Sequence, residues 1–357
     1  MANKKIAGQV GAPSTDIMTS YRSSYQGFNG QTLQQTHNLR ALIAFQLPPI
    51  SLHKLRFLRV LHIEDSRLKN FSREIGGCIH LRCLRLVSCK DVTLPSSIGK
   101  HLYLQTIDMT NTYSLVPKSM WDIPSLRHVY LTDEFSPPNG VQLNELQTFK
   151  LRLNCATTCS KYCNPDMVRF LGQMTQLTTL WLATFQCMPA RVMDIFANMP
   201  CLVDIRLLTN LGVFSELPDV HHFPQSLRSF DLSAVEIRQD PMPVLEKLQC
   251  LVVLTLKGYS GQTMSCSANG FPRLQNIKLY RFSYIEEWRI ESGAMPKLSH
   301  VTLSWFPKMS KLAEGLLHLP SLSRLKLQNM RGFGYDNTLE ELQQKGCEVT
   351  KTDGCDE

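Results

Sequence analysis

Charge is sparse in this chain, and long apolar runs are absent. Only 19% of its 357 residues are charged while 43% are hydrophobic, a balance that excludes a chain kept unfolded by its own polarity. No stretch approaches the roughly 20 apolar residues of a membrane span, and the first twenty residues hold no apolar core of a secretion signal. Stable membrane insertion is therefore not expected, and the expected setting is cytoplasmic. Twelve cysteines in a chain of this length are too few for a dense disulfide framework, and a cytosolic setting keeps them reduced.

Chemical signatures are missing as well. Neither glycine-rich phosphate cradle occurs, whether GxGxxG or GxxxxGK followed by Ser or Thr, so no nucleotide cofactor is expected within this chain. HExxH, GxSxG and CxxC are also absent, which removes the commonest metal, hydrolase and redox sites. Cys155, Cys159 and Cys163 recur every four residues but lack the fourth ligand of a closed zinc site, and Asn164-Pro165 marks a loop there. His221-His222 lies between Pro218 and Pro224 and reads as a turn. An enzyme is not expected, and neither is a metal.

The net charge of +8 raises nucleic acid as a partner, but +6 of it lies in the first sixty residues. A phosphate-tracking surface needs a continuous basic stripe, so no nucleic-acid partner is expected.

What the sequence does have is a repeat. The pattern leucine, two residues, apolar, one residue, apolar starts at Leu58, Leu81, Leu104, Leu126, Leu146, Leu177, Leu202, Leu227, Leu251, Leu274, Leu298 and Leu322. The spacings are 23, 23, 22, 20, 31, 25, 25, 24, 23, 24 and 24. Residues Leu39 to Ala44 read as an irregular further copy at the start. A period of 20 to 29 with this core is that of a leucine-rich repeat, whose short motif is a strand and whose remainder returns as helix, 3₁₀ turn or loop. The predicted fold is an α/β leucine-rich repeat solenoid, a horseshoe with one parallel β-sheet on its concave face. Its expected organisation is a polar, disordered segment over 1–38, the solenoid over 39–330, and a C-terminal cap and tail over 331–357.

Departures from the period carry information. The spacing of 31 between Leu146 and Leu177 holds an insert at 154–165, expected to project as a loop before a helix near Met167 to Met174. The eighth position of each repeat is polar or cysteine early on (Ser66, Cys89, Thr112) and aromatic late (Tyr259, Phe282, Phe306), which predicts a polar ladder giving way to an aromatic stack. Thr338 and Glu341 match a capping box ahead of Leu339 and Leu342, and Gly346 suits a helix stop.

In a strand the residue between two buried anchors points the other way. That rule yields an outward column of His62, Arg85, Asp108, Tyr130, Lys150, Trp181, Arg206, Asp231, Thr255, Lys278, Thr302 and Lys326, with Arg152, Lys257, Tyr280 and Arg281 beside it. Most charges on any sheet face only meet water. Exposed aromatics set among arginines, however, are the composition of protein-binding hot spots. The candidate protein-binding residues are therefore Arg85, Tyr130, Lys150, Arg152, Trp181, Arg206, Lys257, Lys278, Tyr280, Arg281 and Lys326.

Several segments carry a resemblance. Leu94-Pro95-Ser96-Ser97-Ile98-Gly99 with Leu104-Gln105-Thr106-Ile107-Asp108, then Ile123 to His128, then Phe271-Pro272-Arg273-Leu274, Glu286-Glu287-Trp288 and Gly293 to Leu298 resemble the leucine-rich repeat domain of plant nucleotide-binding disease resistance proteins of the coiled-coil, cereal type. The resemblance implies pathogen effector sensing and autoinhibition in the defence response. It also implies three possible partners: a nucleotide-binding (NB-ARC-type) domain, a pathogen effector or a guarded host protein. ADP or ATP would bind that nucleotide-binding module, not this chain. A different class of function, a standalone adaptor or the substrate receptor of a ubiquitin ligase, uses similar repeats but needs an F-box-like helical module, for which residues 1–38 are too polar.

Overall fold

A computed structural model describes residues 22–26, 38–46, 55–132, 137–138, 140, 143–153, 165–187, 190–211, 213–214, 216–330 and 336–352. The chain divides into two compact units, residues 1–154 and 155–357. In the first, β1 (Arg22–Gln26), β2 (Ala41–Phe45), β3 (Val60–Glu64), β4 (Cys83–Val87), β5 (Thr106–Tyr113), β6 (His128–Thr132) and β7 (Thr148–Leu153) pair side by side in chain order, every pair parallel.

The second unit opens with a helix over Pro165–Gly172. Its main strands are β8 (Thr179–Cys187), β9 (Asp204–Leu211), β10 (Val213–Phe214), β11 (Ser229–Ile237) and β12 (Val253–Tyr259), followed by β13 (Thr263–Cys266), β14 (Asn276–Tyr280), β15 (Glu287–Ile290), β16 (His300–Ser304), β17 (Arg324–Gln328) and β18 (Glu348–Thr352). The order β8-β9-β11-β12-β14-β16-β17-β18 makes one parallel sheet, with the short β10 on β11. Each unit is thus a stretch of leucine-rich repeat solenoid, with the strands where the repeat count placed them.

The anchors explain the strands. Leu58, Leu61, Leu81, Leu84, Leu86, Leu104 and Ile107 in the first unit, and Leu177, Leu180, Leu202, Ile205, Leu254, Leu256, Leu274 and Ile277 in the second, are fully buried. Alternation puts the two anchors within each strand on one face, the leucine of the preceding turn is buried with them, and neighbouring repeats bury what a single repeat could not. A shared carbonyl fixes the entry to successive strands: Arg40 O accepts from the N–H groups of Arg59 and Val60, Arg59 O from Arg82 and Cys83, and Val203 O from Arg228 and Ser229, at 2.7 to 3.0 Å. Within each unit, these strand starts are thereby keyed to the one before.

The two kinds of spine are both present. In the first unit the Thr112 hydroxyl donates to Leu86 O at 2.6 Å and accepts from the Cys89 N–H at 2.9 Å, and Ser66, Cys89 and Thr112 are all buried. In the second, Tyr259 meets Phe282 edge to face at 5.9 Å between ring centroids, and Phe282 stacks on Phe306 at 5.2 Å. The return segments Ser96–Lys100 and Lys118–Asp122 are 3₁₀ turns. They pack so closely that a Cβ on Gly99 would lie 2.5 Å from the Ser119 carbonyl oxygen. The Ser119 hydroxyl in turn donates to Ser96 O at 2.7 Å. The glycine of the Leu94-to-Gly99 motif is thus required by backbone approach.

Four features differ from the sequence reading. Residues 22–26, assigned there to a disordered segment, form β1. A strand edge accepts any backbone that offers its own donors and acceptors, so the polar side chains of this stretch gave no signal. At the other end the sheet runs past residue 330, because Glu348–Thr352 pairs with β17. The return path is not only helix, turn and loop: β13 and β15 form a separate two-stranded parallel sheet in which Met264, Cys266 and Trp288 are buried. Finally, the helix Asn337–Gln344 is capped by Asp336, not by a Thr338–Glu341 box. Asp336 Oδ1 accepts from Leu339 N at 3.3 Å while Oδ2 accepts from Leu312 N at 2.6 Å. A carboxylate satisfying two orphan donors outcompetes a hydroxyl that satisfies one. Gly346 does end this helix, at φ +87, in the left-handed cap position. The insert 154–164, with Cys155, Cys159 and Cys163, lies outside the described residues.

Candidate functional site

The face of each sheet opposite the leucines carries the candidate residues, and the strand register sets their order. In the first unit Ile43, His62, Arg85, Asp108, Tyr130 and Lys150 stand opposite one another in succession, with Arg152 beside Thr132 in the next column. In the second unit the same column reads Trp181, Arg206, Asp231, Thr255, Lys278, Thr302 and Lys326. Lys257 and Tyr280 are partners in the adjacent column, and Arg281 follows directly at the end of β14. Arg85, Arg152, Arg206, Lys278 and Arg281 are exposed, while Tyr130, Lys150, Trp181, Lys257, Tyr280 and Lys326 are half-buried.

In the first unit much of this column is internally engaged. Arg85 Nε lies 3.0 Å from Asp108 Oδ2. Asp108 Oδ1 accepts from the N–H and the hydroxyl of Thr110 at 3.0 and 2.6 Å. The Lys150 ammonium sits over the Tyr130 ring, 5.1 Å from its centroid, within cation–π range. His62 packs edge to face on Phe45 at 6.0 Å. Burial first, and the Arg85 guanidinium second, push the His62 imidazole below its usual pKa, so it stands neutral at neutral pH.

The second unit divides its charges differently. Arg206 turns to Asp204 on its own strand, Nε to Oδ1 at 3.3 Å, which leaves the Trp181 indole half-buried beside it. Across the sheet from Arg206, burial raises the Asp231 carboxyl, although a hydrogen bond from the Ser233 hydroxyl at 2.8 Å and the positive charges of Arg206 and Lys278 pull the other way. Among the described residues, Lys257, Lys278 and Arg281 form no ion pair. Burial, and then repulsion from Arg281, lower the Lys257 amine.

Two groups were not singled out from the sequence. Phe57, His80 and Tyr103, each just ahead of a first leucine anchor, form an exposed ladder with ring centroids 6.4 and 6.5 Å apart. The recurrence of a ring at that position was a signal that went unread. Trp305 is 41% exposed at φ +63. Nothing in its sequence context announces a left-handed tryptophan.

Among the described residues no group of three or more His, Cys, Asp or Glu is placed to hold a metal ion, and no helix is long and apolar enough to cross a membrane. The His221-His222 pair lies on an exposed 3₁₀ turn over Val220–His222.

Comparison with known proteins agrees with this geometry. A family model described as "Leucine-rich repeat region" matches residues 38–233 and 141–346. The probable disease resistance protein RXW24L of Arabidopsis thaliana is 30% identical over 296 residues, covering 76% of this chain and 33% of that protein. The disease resistance protein RPP8 of the same plant is 30% identical over 307 residues, covering 78% and 34%. This chain therefore spans about a third of the length of these curated relatives. Among solved structures, a leucine-rich repeat protein of Leptospira interrogans superposes with a TM-score of 0.57 at 17% identity, over 92% of this chain and 94% of that one. An internalin of Listeria monocytogenes does so with a TM-score of 0.53 at 14% identity, over 92% and 84%. These two show the shared solenoid fold.

Proposed function

We propose, from the premise that this chain belongs to the leucine-rich repeat region family and is related to plant disease resistance proteins, that it is the protein-recognition part of an intracellular immune receptor. In this reading the open sheet face senses a pathogen effector or a guarded host protein, or restrains a nucleotide-binding module, and does no catalysis. A solenoid stacks a row of variable side chains on an invariant leucine core, so its specificity lies in the outward column and not in a motif.

The observation that carries this reading is the pairing of Trp181 with Arg206 on adjacent strands of that face. It joins aromatic area to a planar guanidinium. The test uses the purified chain and a purified NB-ARC-type nucleotide-binding module, with association read by light scattering and calorimetry. Association should occur with the native chain and weaken by on the order of 1 to 2 kcal/mol in Trp181→Ala or Arg206→Ala. Candidate effectors can be put to the same assay. Association untouched by both changes would place recognition on another face.

A further inference from the structure

Within the second unit, the stretch of open face from β12 to β17 carries Lys257, Lys278, Tyr280, Arg281, His300, Trp305, Arg324 and Lys326, and no acidic residue. Arg324 is paired, to Glu348 on β18 at 3.5 Å. Among the described residues, Lys257, Lys278 and Arg281 make no ion pair with a carboxylate. The fold thus brings Lys257 and Arg281 together without an ion-pair partner among the described residues, and burial first, then repulsion from Arg281, lowers the Lys257 amine. An anionic group between them would relieve that repulsion and gain two charge-assisted hydrogen bonds.

The backbone beside this pair follows a turn that recurs along the chain, where Gln46, Asp65 and Ser88 likewise have positive φ and donate their N–H to the next strand. Arg281, Trp305 and Asn329 occupy equivalent places after β14, β16 and β17. All three have positive φ, and all three donate their N–H to the next strand, to Ser304 O, Gln328 O and Thr352 O at 2.9, 3.0 and 3.0 Å. Asparagine adopts this conformation readily, whereas a bulky side chain there is strained. Trp305, 41% exposed, directly follows Ser304, the register partner of Tyr280, so it occupies the place on the next strand equivalent to that of Arg281.

We infer that Lys257 and Arg281, flanked by Tyr280 and Trp305, form a docking site for a short acidic segment of a partner polypeptide. A carboxylate would seat between the two cations, and a neighbouring apolar side chain would lie on the rings. The inference rests on the open face being the recognition surface and names the chemistry of what it takes. Extent favours a peptide over nucleic acid. The acid-free stretch spans three strand spacings, about 14 Å, and Asp231 and Glu348 bracket it on β11 and β18. A duplex with one phosphate charge per ~1.7 Å would run onto both carboxylates, whereas a segment of a few residues fits between them.

The test uses a fluorescein-labelled deca-glutamate peptide with one internal tyrosine, titrated with the full chain in low salt and read by anisotropy. Separate arms use a twenty-base-pair DNA duplex and inorganic phosphate as competitors. The peptide should bind saturably, weaken with added salt, and lose about tenfold in affinity in Lys257→Ala/Arg281→Ala. A control change on the return side, Lys297→Ala, should have no effect, and the peptide should shield the Lys257 amine from acetylation as read by mass spectrometry. Binding unchanged in the double variant, an amine unshielded at peptide saturation, or a duplex that displaces the peptide and binds more tightly would each overturn the inference. Trp181→Ala separates the two proposals. If it abolishes association with the nucleotide-binding module while the peptide fails to bind the native chain, the recognition face stands and only the acidic-segment site falls.

Discussion

Arg85 Nε meets Asp108 Oδ2 at 3.0 Å across adjacent strands, and the two partners contribute unequally to that contact. The Asp108 side chain is 9% exposed and the Arg85 side chain 46%. Asp108 also serves the backbone N–H and the hydroxyl of Thr110. Asp108→Ala should therefore cost about 1 to 3 kcal/mol, since it removes the buried acceptor shared by the half-buried N–H and hydroxyl of Thr110. Arg85→Ala should cost about 1 kcal/mol or less, because a half-exposed pair is screened by water. Denaturant melts of the two variants rank them, and a larger loss for Arg85→Ala would show that the contact is set from the arginine side.

Asp231 gives a pH signature. Its folded-state pKa is raised by burial above the ordinary 3.8, so between those two values the native state binds more protons than the unfolded one. The favourable contribution is complete below about pH 3.8 and is lost as pH rises through the folded value. Asp231→Asn should consequently raise Tm at pH 7, and its advantage over the native chain should shrink as pH falls toward 4. Thermal scans at pH 4, 5.5 and 7 check this, and an advantage that grows on acidification would contradict it.

Strand β8 separates core from surface within three residues. Leu180 is fully buried, and Leu180→Ala should destabilise by about 2 to 5 kcal/mol. Trp181→Ala should leave the circular dichroism spectrum intact with a much smaller loss. Equal losses would mean that the indole carries core packing.

Gly99 is a site where one methyl group suffices to disturb packing. Its added Cβ would meet a backbone oxygen, Ser119 O, which no side-chain rotation can move aside. Gly99→Ala should cost about 1 to 3 kcal/mol through displaced turns, whereas Gly76→Ala, whose nearest neighbour is Ser97 Oγ at 3.8 Å, should cost less on steric grounds. Paired thermal melts decide between them.

The missing phosphate cradles imply that purified chain shows no saturable ADP or ATP binding in calorimetry. Micromolar binding at a single site would contradict this.

Much of this architecture was legible because leucine spacing and strand alternation are the same physical fact. A side chain that must be buried every second residue, once per repeat, leaves a periodic trace, and Leu84, Leu86, Leu254 and Leu256 all carry it. The aromatic spine of Tyr259, Phe282 and Phe306 was legible for the same reason. The β13–β15 sheet was not, since four residues such as Thr263-Met264-Ser265-Cys266 alternate too briefly to stand out. The Asp336 cap was missed because the same carboxylate answers Leu312, 24 residues away in sequence, and a local pattern cannot register a distant donor. Within the candidate face, the register was readable but the pairing was not. Arg85 and Arg206 look alike in sequence, yet one crosses to the next strand and the other folds back on its own. Trp305 escaped notice because backbone handedness is set by the turn that a repeat completes and not by the residue that occupies it.

The chain-order pairing of β14, β16, β17 and β18 has a mechanical consequence. Among the described residues these strands pair in the main sheet only with their neighbours in the order β12-β14-β16-β17-β18, so no distant strand clasps the C-terminal end of that sheet. Pulled from that end in an optical trap, this unit should unspool one coil at a time. Each rupture should free about 24 residues and lengthen the tether by roughly 80 Å, a staircase in place of one catastrophic break.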